Sequence, residues 1–446
     1  MYMVHCLLLM AAGWADKELP MKCTQRGLLC LLLTGLSFQL SAQEVVLKLE
    51  NKLSEVRKNE LIVLSRSFVE QKMGLGVGLN ELEIFIGDEQ QTLQFDDLNQ
   101  DGEWDELVFL AGFKSAESLN LKMKLNRTDR DIISGVTAHV RHKRKLENNK
   151  FGPSLKVDSI PAGQPNTDFN KEPLPPFLTE GPAWENDKVG FRIYMDVRNT
   201  KDIWGKTTTG MKMDQVGVDP KVIYHHLAPW GMDILAVGKS LGAGSLAMRV
   251  PIKGKADTLV RLGGLNMGKV IYRQLADGPV RAVFQLAYPE WNVMGNGRLT
   301  SLTEQISIWG GQYFYESKIA LSNAPEGAEL VTGIVNMKSS KSMKDSYDKA
   351  MVLSTFDKQS ENADQLGMAV LLDKSDWIAF GQTPDAGSEV MQTYTVAIET
   401  PAAGARSTFR FYACWEKSDA QFSKENGFKK YLGAEAAKYN SPIAIR

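Results

Sequence analysis

Short apolar runs punctuated by Gly, Asn, Asp and Pro recur along this chain, and that recurrence most restricts what it can fold into. Residues 45–49, 61–64, 82–86, 107–111 and 119–125 carry the first set. After a central stretch the runs resume at 247–250, 259–262, 270–275, 280–287, 299–308, 313–321 and 329–335, then at 367–372, 377–380, 393–400 and 407–413. Runs this short, separated by turn residues, read as strands. Only 424–439 has helical spacing, through Phe428, Tyr431, Leu432, Ala436 and Tyr439. No fixed repeat is evident, which argues against a propeller. The expectation is an all-β chain, a large antiparallel β-sandwich with an N-terminal β module and a short C-terminal helix.

With 446 residues, 43% of them hydrophobic and 24% charged, the chain can bury sizeable cores. Residues 44–150 read as the N-terminal module. Residues 151–178, with five prolines between 154 and 176, read as a linker or crossing loop. Residues 179–446 read as the main sandwich, expected to carry the chemistry. Net charge is −1 with both signs interspersed, so no basic stripe suits nucleic acid.

Residues 1–43 read as an N-terminal extension and signal peptide. Lys22 and Arg26 precede the apolar run 28–33, and Ser41-Ala42-Gln43 supplies a cleavage region. The run is too short to span a membrane, so the expectation is an exported protein, periplasmic or secreted. Cys6, Cys23 and Cys30 fall in this segment and only Cys414 lies beyond it, which excludes an internal disulfide framework.

The turn Asp97-Leu98-Asn99-Gln100-Asp101-Gly102-Glu103-Trp104-Asp105 matches the first nine places of a calcium loop. Asp97, Asn99, Asp101, Asp105 and the Glu103 carbonyl are the expected ligands of a structural calcium. The twelfth place is Val108 where a helical calcium site needs Glu. The turn therefore reads as a β-hairpin calcium loop, the alternative being an acidic turn without metal. Residues 127–144 are basic and include His139 and His142, which three-residue spacing puts on opposite faces of a strand. Asn126-Arg127-Thr128 matches a glycosylation sequon.

Chemistry concentrates in residues 180–244, which hold His225, His226, Trp184, Trp204, Trp230, Arg192 and Arg198. Alternation in 189–196 would place Arg192, Tyr194 and Asp196 on one strand face. Gly242-Ala243-Gly244 imitates a dinucleotide fingerprint, but Pro251 and the strand-like 247–250 oppose the helix such a fingerprint must open. With no P-loop or HExxH in the chain either, no nucleotide or redox cofactor is expected.

Residues 97–109, 180–199, 202–206, 225–244 and 272–291 together resemble a family of secreted bacterial β-sandwich proteins long labelled as a domain of unknown function. Its members occur in polysaccharide-utilisation systems and include dehydratases of ulvan-type uronic-acid oligosaccharides. The second half is also similar to the galactose-mutarotase-like super-sandwich, which implies fold alone. The resemblance implies an oligosaccharide substrate and a carbon–oxygen lyase. Such chemistry needs a base for the proton α to a carboxylate, positive charge for the enolate, and an acid for the leaving oxygen. His225 or His226 suits the base or acid, with only one of the adjacent pair facing the site, and Tyr272 suits either role. Arg273 or Arg192 suits the carboxylate, and Trp184 or Trp230 a sugar ring. A glycosidase using two of Glu180, Glu185, Asp187 and Asp233, a sugar epimerase, and a non-catalytic glycan-binding protein are the rivals.

Overall fold

The computed structural model describes residues 44–446 apart from 75, 77–80, 126–134 and 253–256. The expected signal segment and the sequon at Asn126 lie outside the described residues.

The chain is all-β: five antiparallel sheets among the described residues, with α-helices only at Arg66–Met73 and Glu425–Asn440. The largest sheet has nine strands, in the order Met343–Ser346, Ala350–Asp357, Leu366–Asp373, Ser407–Trp415, Phe314–Ser322, Thr300–Trp309, Arg281–Trp291, Val270–Asp277 and Val157–Ile160. One of its faces shares a core with two five-stranded sheets, which makes the sandwich. Phe284, Tyr315 and Phe411 of the large sheet meet Trp184 and Phe191 of one partner and Met248, Leu330 and Val396 of the other. Alternation in Arg281–Trp291 explains the inward set, since Phe284, Leu286 and Tyr288 share a face while Gln285 points away. The pairing register shifts between Tyr288 and Trp291, where Pro289 has no N–H to give the ladder.

The large sheet's other face carries a second core. Phe314, Val352, Leu371 and Tyr412 pack there against Phe428, Leu432 and Ala436, whose four-residue spacing gives the C-terminal helix its buried stripe. The N-terminal segment folds around its own core, including Leu49, Ile62, Ile84, Phe109 and Met123. It also meets the large sheet through buried polar contacts. Gln94 donates to the Arg281 carbonyl at 2.8 Å and accepts from Val280 N at 2.7 Å, while the Arg281 guanidinium holds Asp96 and Glu106.

Gly242 and Gly244 lie at φ +53° and +86° in turns leading into the strand Ala247–Val250, with no helix following. A Cβ at Gly242 would stand 2.3 Å from the Lys201 carbonyl oxygen, and one at Gly244 2.5 Å from the Tyr315 hydroxyl. Close backbone approach and left-handed φ thus account for these glycines.

Candidate functional site

The second five-stranded sheet runs Gly231–Asp233, Lys201–Lys206, Val189–Ile193, Ala183–Asn186 and Ala138–Arg141. Val189, Phe191 and Ile193 enter the core, and period-two geometry sends Arg192 to the other face. There Arg192 lies opposite Asp202 in the neighbouring strand. Its Nη2 donates to Asp202 at 2.7 Å and to Asp233 at 2.5 Å, and stands 2.6 Å from the Tyr194 hydroxyl, which itself donates to Asp202 at 2.7 Å. The expected sharing of a face by Arg192 and Tyr194 therefore holds. Asp196 instead pairs with Arg198, whose Nε donates to it at 3.0 Å.

Burial makes this cluster electrostatically tense. Arg192, Asp202 and Asp233 are all nearly inaccessible, and the guanidinium also stacks 4.7 Å from the Trp204 ring. Burial opposes the Arg192 charge, but Tyr194, Asp233 and Asp202 outweigh it and hold the guanidinium well above its ordinary range. Burial and then the neighbouring Asp202 push the Asp233 carboxyl well above the ordinary carboxylate value, against the pull of Arg192. Two carboxylates on one buried cation resist joint ionisation.

A cavity of about 540 Å³ opens above this cluster. Arg192, Tyr194, Arg198, Glu180, Tyr224 and His225 bear on it, and Asn166, Thr167 and Phe169 of the proline-rich segment form the facing wall. A smaller pocket of about 240 Å³ shares Asn166, Thr167 and Glu180 with it. Nδ1 of His225 stands 3.3 Å from Asp233 Oδ2, and its side chain is 56% exposed. Burial and then the Arg192 charge lower the His225 pKa, which favours neutral imidazole at neutral pH. The Tyr224 ring lies 4.5 Å from that of His225, and burial raises the Tyr224 pKa, keeping the phenol protonated. The arrangement offers a neutral imidazole with its Nδ1 next to a carboxyl, beside a protonated phenol and near the Arg192 charge.

The other expected site residues do not join this cavity. Trp184 is fully buried in the core against Phe284 and Tyr315, so it offers a sugar no face. Tyr272 is equally buried, with its ring 4.8 Å from that of His142 and its pKa driven far upward by burial; it cannot reach a substrate. These two assignments are corrected: both side chains lie on the covered face of their strands. Arg273, one residue along, is exposed but belongs to the large sheet's outer face. His226 is exposed and is not in the cavity wall. Trp230 is half-buried against Trp204, 6.0 Å between centroids, and also stands outside the wall.

Sequence reasoning missed Asp202 and Tyr224. Tyr224 had one available signal, since it directly precedes the histidine pair. The carboxylates proposed for a glycosidase are all engaged. Glu180 accepts from Arg198 at 2.6 Å, Glu185 from Lys206 and the Met213 amide, and Asp187 from the Gly311 amide.

In the acidic turn the oxygens cap backbone amides. Asp97 accepts from Asp101 N and Gly102 N, Asp101 from Glu103 N, and Asp105 from Leu98 N and Asn99 N, at 2.7–3.2 Å. The Asn99 amide nitrogen sits 3.1 Å from both Asp101 and Asp105, and Glu103 pairs with Arg66. Among the described residues no three His, Cys, Asp or Glu side chains converge as a metal site. His139 and His142 do point apart. His139 bridges Asp214 and Asp277 at 2.8 and 2.9 Å, whereas His142 is buried against Asp158 at 2.7 Å.

Fold and site together define an all-β protein of stacked antiparallel sheets with a buried Arg–Asp cluster and an adjoining exposed histidine at a cavity. The chain belongs to the family described as Domain of unknown function (DUF4861), which matches residues 49–445. A curated relative, "Uncharacterized protein P7" of Formosa agariphila, is 23% identical over 288 residues, covering 60% of this chain and 68% of that protein. Among solved structures, an alpha-mannosidase from Enterococcus faecalis V583 matches with a TM-score of 0.44 and 9% identity, over 90% of this chain and 46% of its own. A glycosyl hydrolase family 38 protein of the same species matches with a TM-score of 0.44 and 8% identity, over 90% and 47%. This chain thus spans under half the length of these two structures. No helix among the described residues is long and apolar enough to cross a membrane.

Proposed function

We propose that this protein acts on glycans as a carbon–oxygen lyase, eliminating water or a sugar leaving group from a uronic-acid-containing oligosaccharide of the ulvan type. The observation that carries the reading is the lowered-pKa His225, with Nδ1 3.3 Å from Asp233 and its ring on a 540 Å³ cavity. The free Nε2 of His225 removes the proton α to the uronate carboxylate, with the Asp233 carboxyl beside Nδ1 positioning the ring. The electron pair becomes the carbon–carbon double bond as the β carbon–oxygen bond breaks. The Tyr224 phenol supplies the proton that leaves with that oxygen. Arg198 lines the cavity at 24% exposure against 2% for Arg192, so it is the guanidinium better placed to meet the substrate carboxylate.

The test is mass spectrometry of uronic-acid oligosaccharides incubated with the protein. Elimination of water lowers product mass by about 18 units and creates an ultraviolet-absorbing conjugated alkene, by the chemistry of that reaction class. Products that gain this mass without the absorbance would indicate hydrolysis and refute the proposal. An unchanged mass with inverted stereochemistry would indicate epimerisation. Binding without turnover would leave only a glycan-binding protein.

A further inference from the structure

A second cavity, of about 800 Å³, lies between the N-terminal segment and the outer face of the nine-stranded sheet, and none of the His225 cluster lines it. Most charges on its walls are matched: Arg57 with Glu60, Arg281 with Asp96 and Glu106, and Arg410 with Glu316. The groups left over form a pattern. Gln285 and Gln305 are direct cross-strand partners, so their side chains stand together on the outer face, roughly 5 Å apart at Cβ. Both line the cavity, both are half-buried, and neither side-chain amide has a hydrogen-bond partner among the described residues. The same register row continues to Arg273 on one side and on the other to Lys318, which stands 3.4 Å from Glu316 and is 41% exposed. Arg273 is exposed and without an ion pair among the described residues; so is Arg406, which lies on the cavity wall.

We infer that the row Arg273–Gln285–Gln305–Lys318, with Arg406, is a second binding site, which takes an acidic oligosaccharide apart from the His225 cavity. The inference rests on the reading of this protein as one that acts on uronic-acid glycans. Each primary amide offers donors and an acceptor, the complement of neighbouring sugar hydroxyls. Cations flanking the amides provide for carboxylates at either side. Strands repeat about every 4.8 Å across the row, so it is an extended surface suited to a linear ligand. A water-filled seam would account for the volume, but not for two adjacent free amides with the unpaired Arg273 guanidinium beside them in the row.

Isothermal titration of the full chain carrying His225→Ala, with a glucuronic-acid tetrasaccharide as probe, tests this. The expected result includes a binding event that Gln285→Ala/Gln305→Ala abolishes. Arg273→Gln/Arg406→Gln, which leaves the amides in place, should weaken the same event about tenfold or more, and a neutral glucose tetrasaccharide should not produce it. Binding unaltered by both double variants, equal binding of the neutral sugar, or no binding beyond the His225 cavity would each overturn the inference. Turnover by the unsubstituted protein is measured separately. Product formation without the second event sinks this site alone, and the second event without product sinks the elimination reading alone.

Discussion

Replacing His139 by Gln tests how the segment that carries His225 is held. His139 sits on Ala138–Arg141, is 16% exposed, and clasps Asp277 through Nδ1 and Asp214 through Nε2. Asp214 belongs to the stretch between Lys201–Lys206 and Gly231–Asp233, the same stretch that presents Tyr224 and His225, and it is held also by Lys143. Burial opposes the imidazolium, but hydrogen bonds to Asp214 and Asp277 outweigh it and raise the His139 pKa to about 9. Against an unfolded value near 6.5, a rise of about 2.5 units is worth at most roughly 3.4 kcal/mol. Asp214 is 45% and Asp277 28% exposed, so solvent screening brings this to about 1–2 kcal/mol. Because the folded pKa is raised, the stabilisation is complete below about pH 6.5 and fades as pH climbs through about 9. For a chain of this size that is a melting difference of roughly 1–2 °C. Scanning calorimetry of the parent and His139→Gln should show this gap at pH 6 and its disappearance near pH 10. A gap of equal size at both pH values, or none at pH 6, would refute the reasoning.

His225→Ala should lower kcat by about two to four orders of magnitude, while His226→Ala stays near the parent rate; equal rates for the two variants would remove His225 from the mechanism. Asp233→Asn, which keeps the shape but loses the orienting carboxyl, should depress kcat far more than it raises KM, and an unchanged kcat would refute the dyad. Since burial and Arg192 lower the His225 pKa, the acid limb of the kcat/KM profile should fall below the ordinary imidazole value; a limb above that value would count against His225 as the base. Calcium held by Asp97, Asn99, Asp101, Asp105 and the Glu103 carbonyl would turn the Asn99 oxygen inward in place of its nitrogen, so chelator should lower the melting temperature and added calcium restore it. Melting indifferent to both would leave the turn closed by its amides alone. Trp184→Ala should cost about 3–5 kcal/mol of stability, read by denaturant titration, whereas a substrate platform would lose binding with little change in stability.

Local sequence pattern was enough for the strand-rich architecture, the C-terminal helix and the misleading character of the Gly242–Gly244 glycines. Each rests on local physics: period two, period 3.6, turn residues, and a proline that opposes a helix. It also marked residues 180–244 as the candidate site, because His, Arg and Trp crowd there whatever the fold. Alternation sorted side chains onto two strand faces but could not say which face another sheet would cover. Trp184 and Tyr272 are therefore core, Arg273 is outside, and of two adjacent histidines only His225 meets the cavity. Arg192 takes its partners from Asp202 and Asp233, ten and forty-one residues away, and the facing wall comes from the proline-rich segment before it. Only tertiary structure decided these things, because strand pairing and sheet stacking join residues that no local spacing relates.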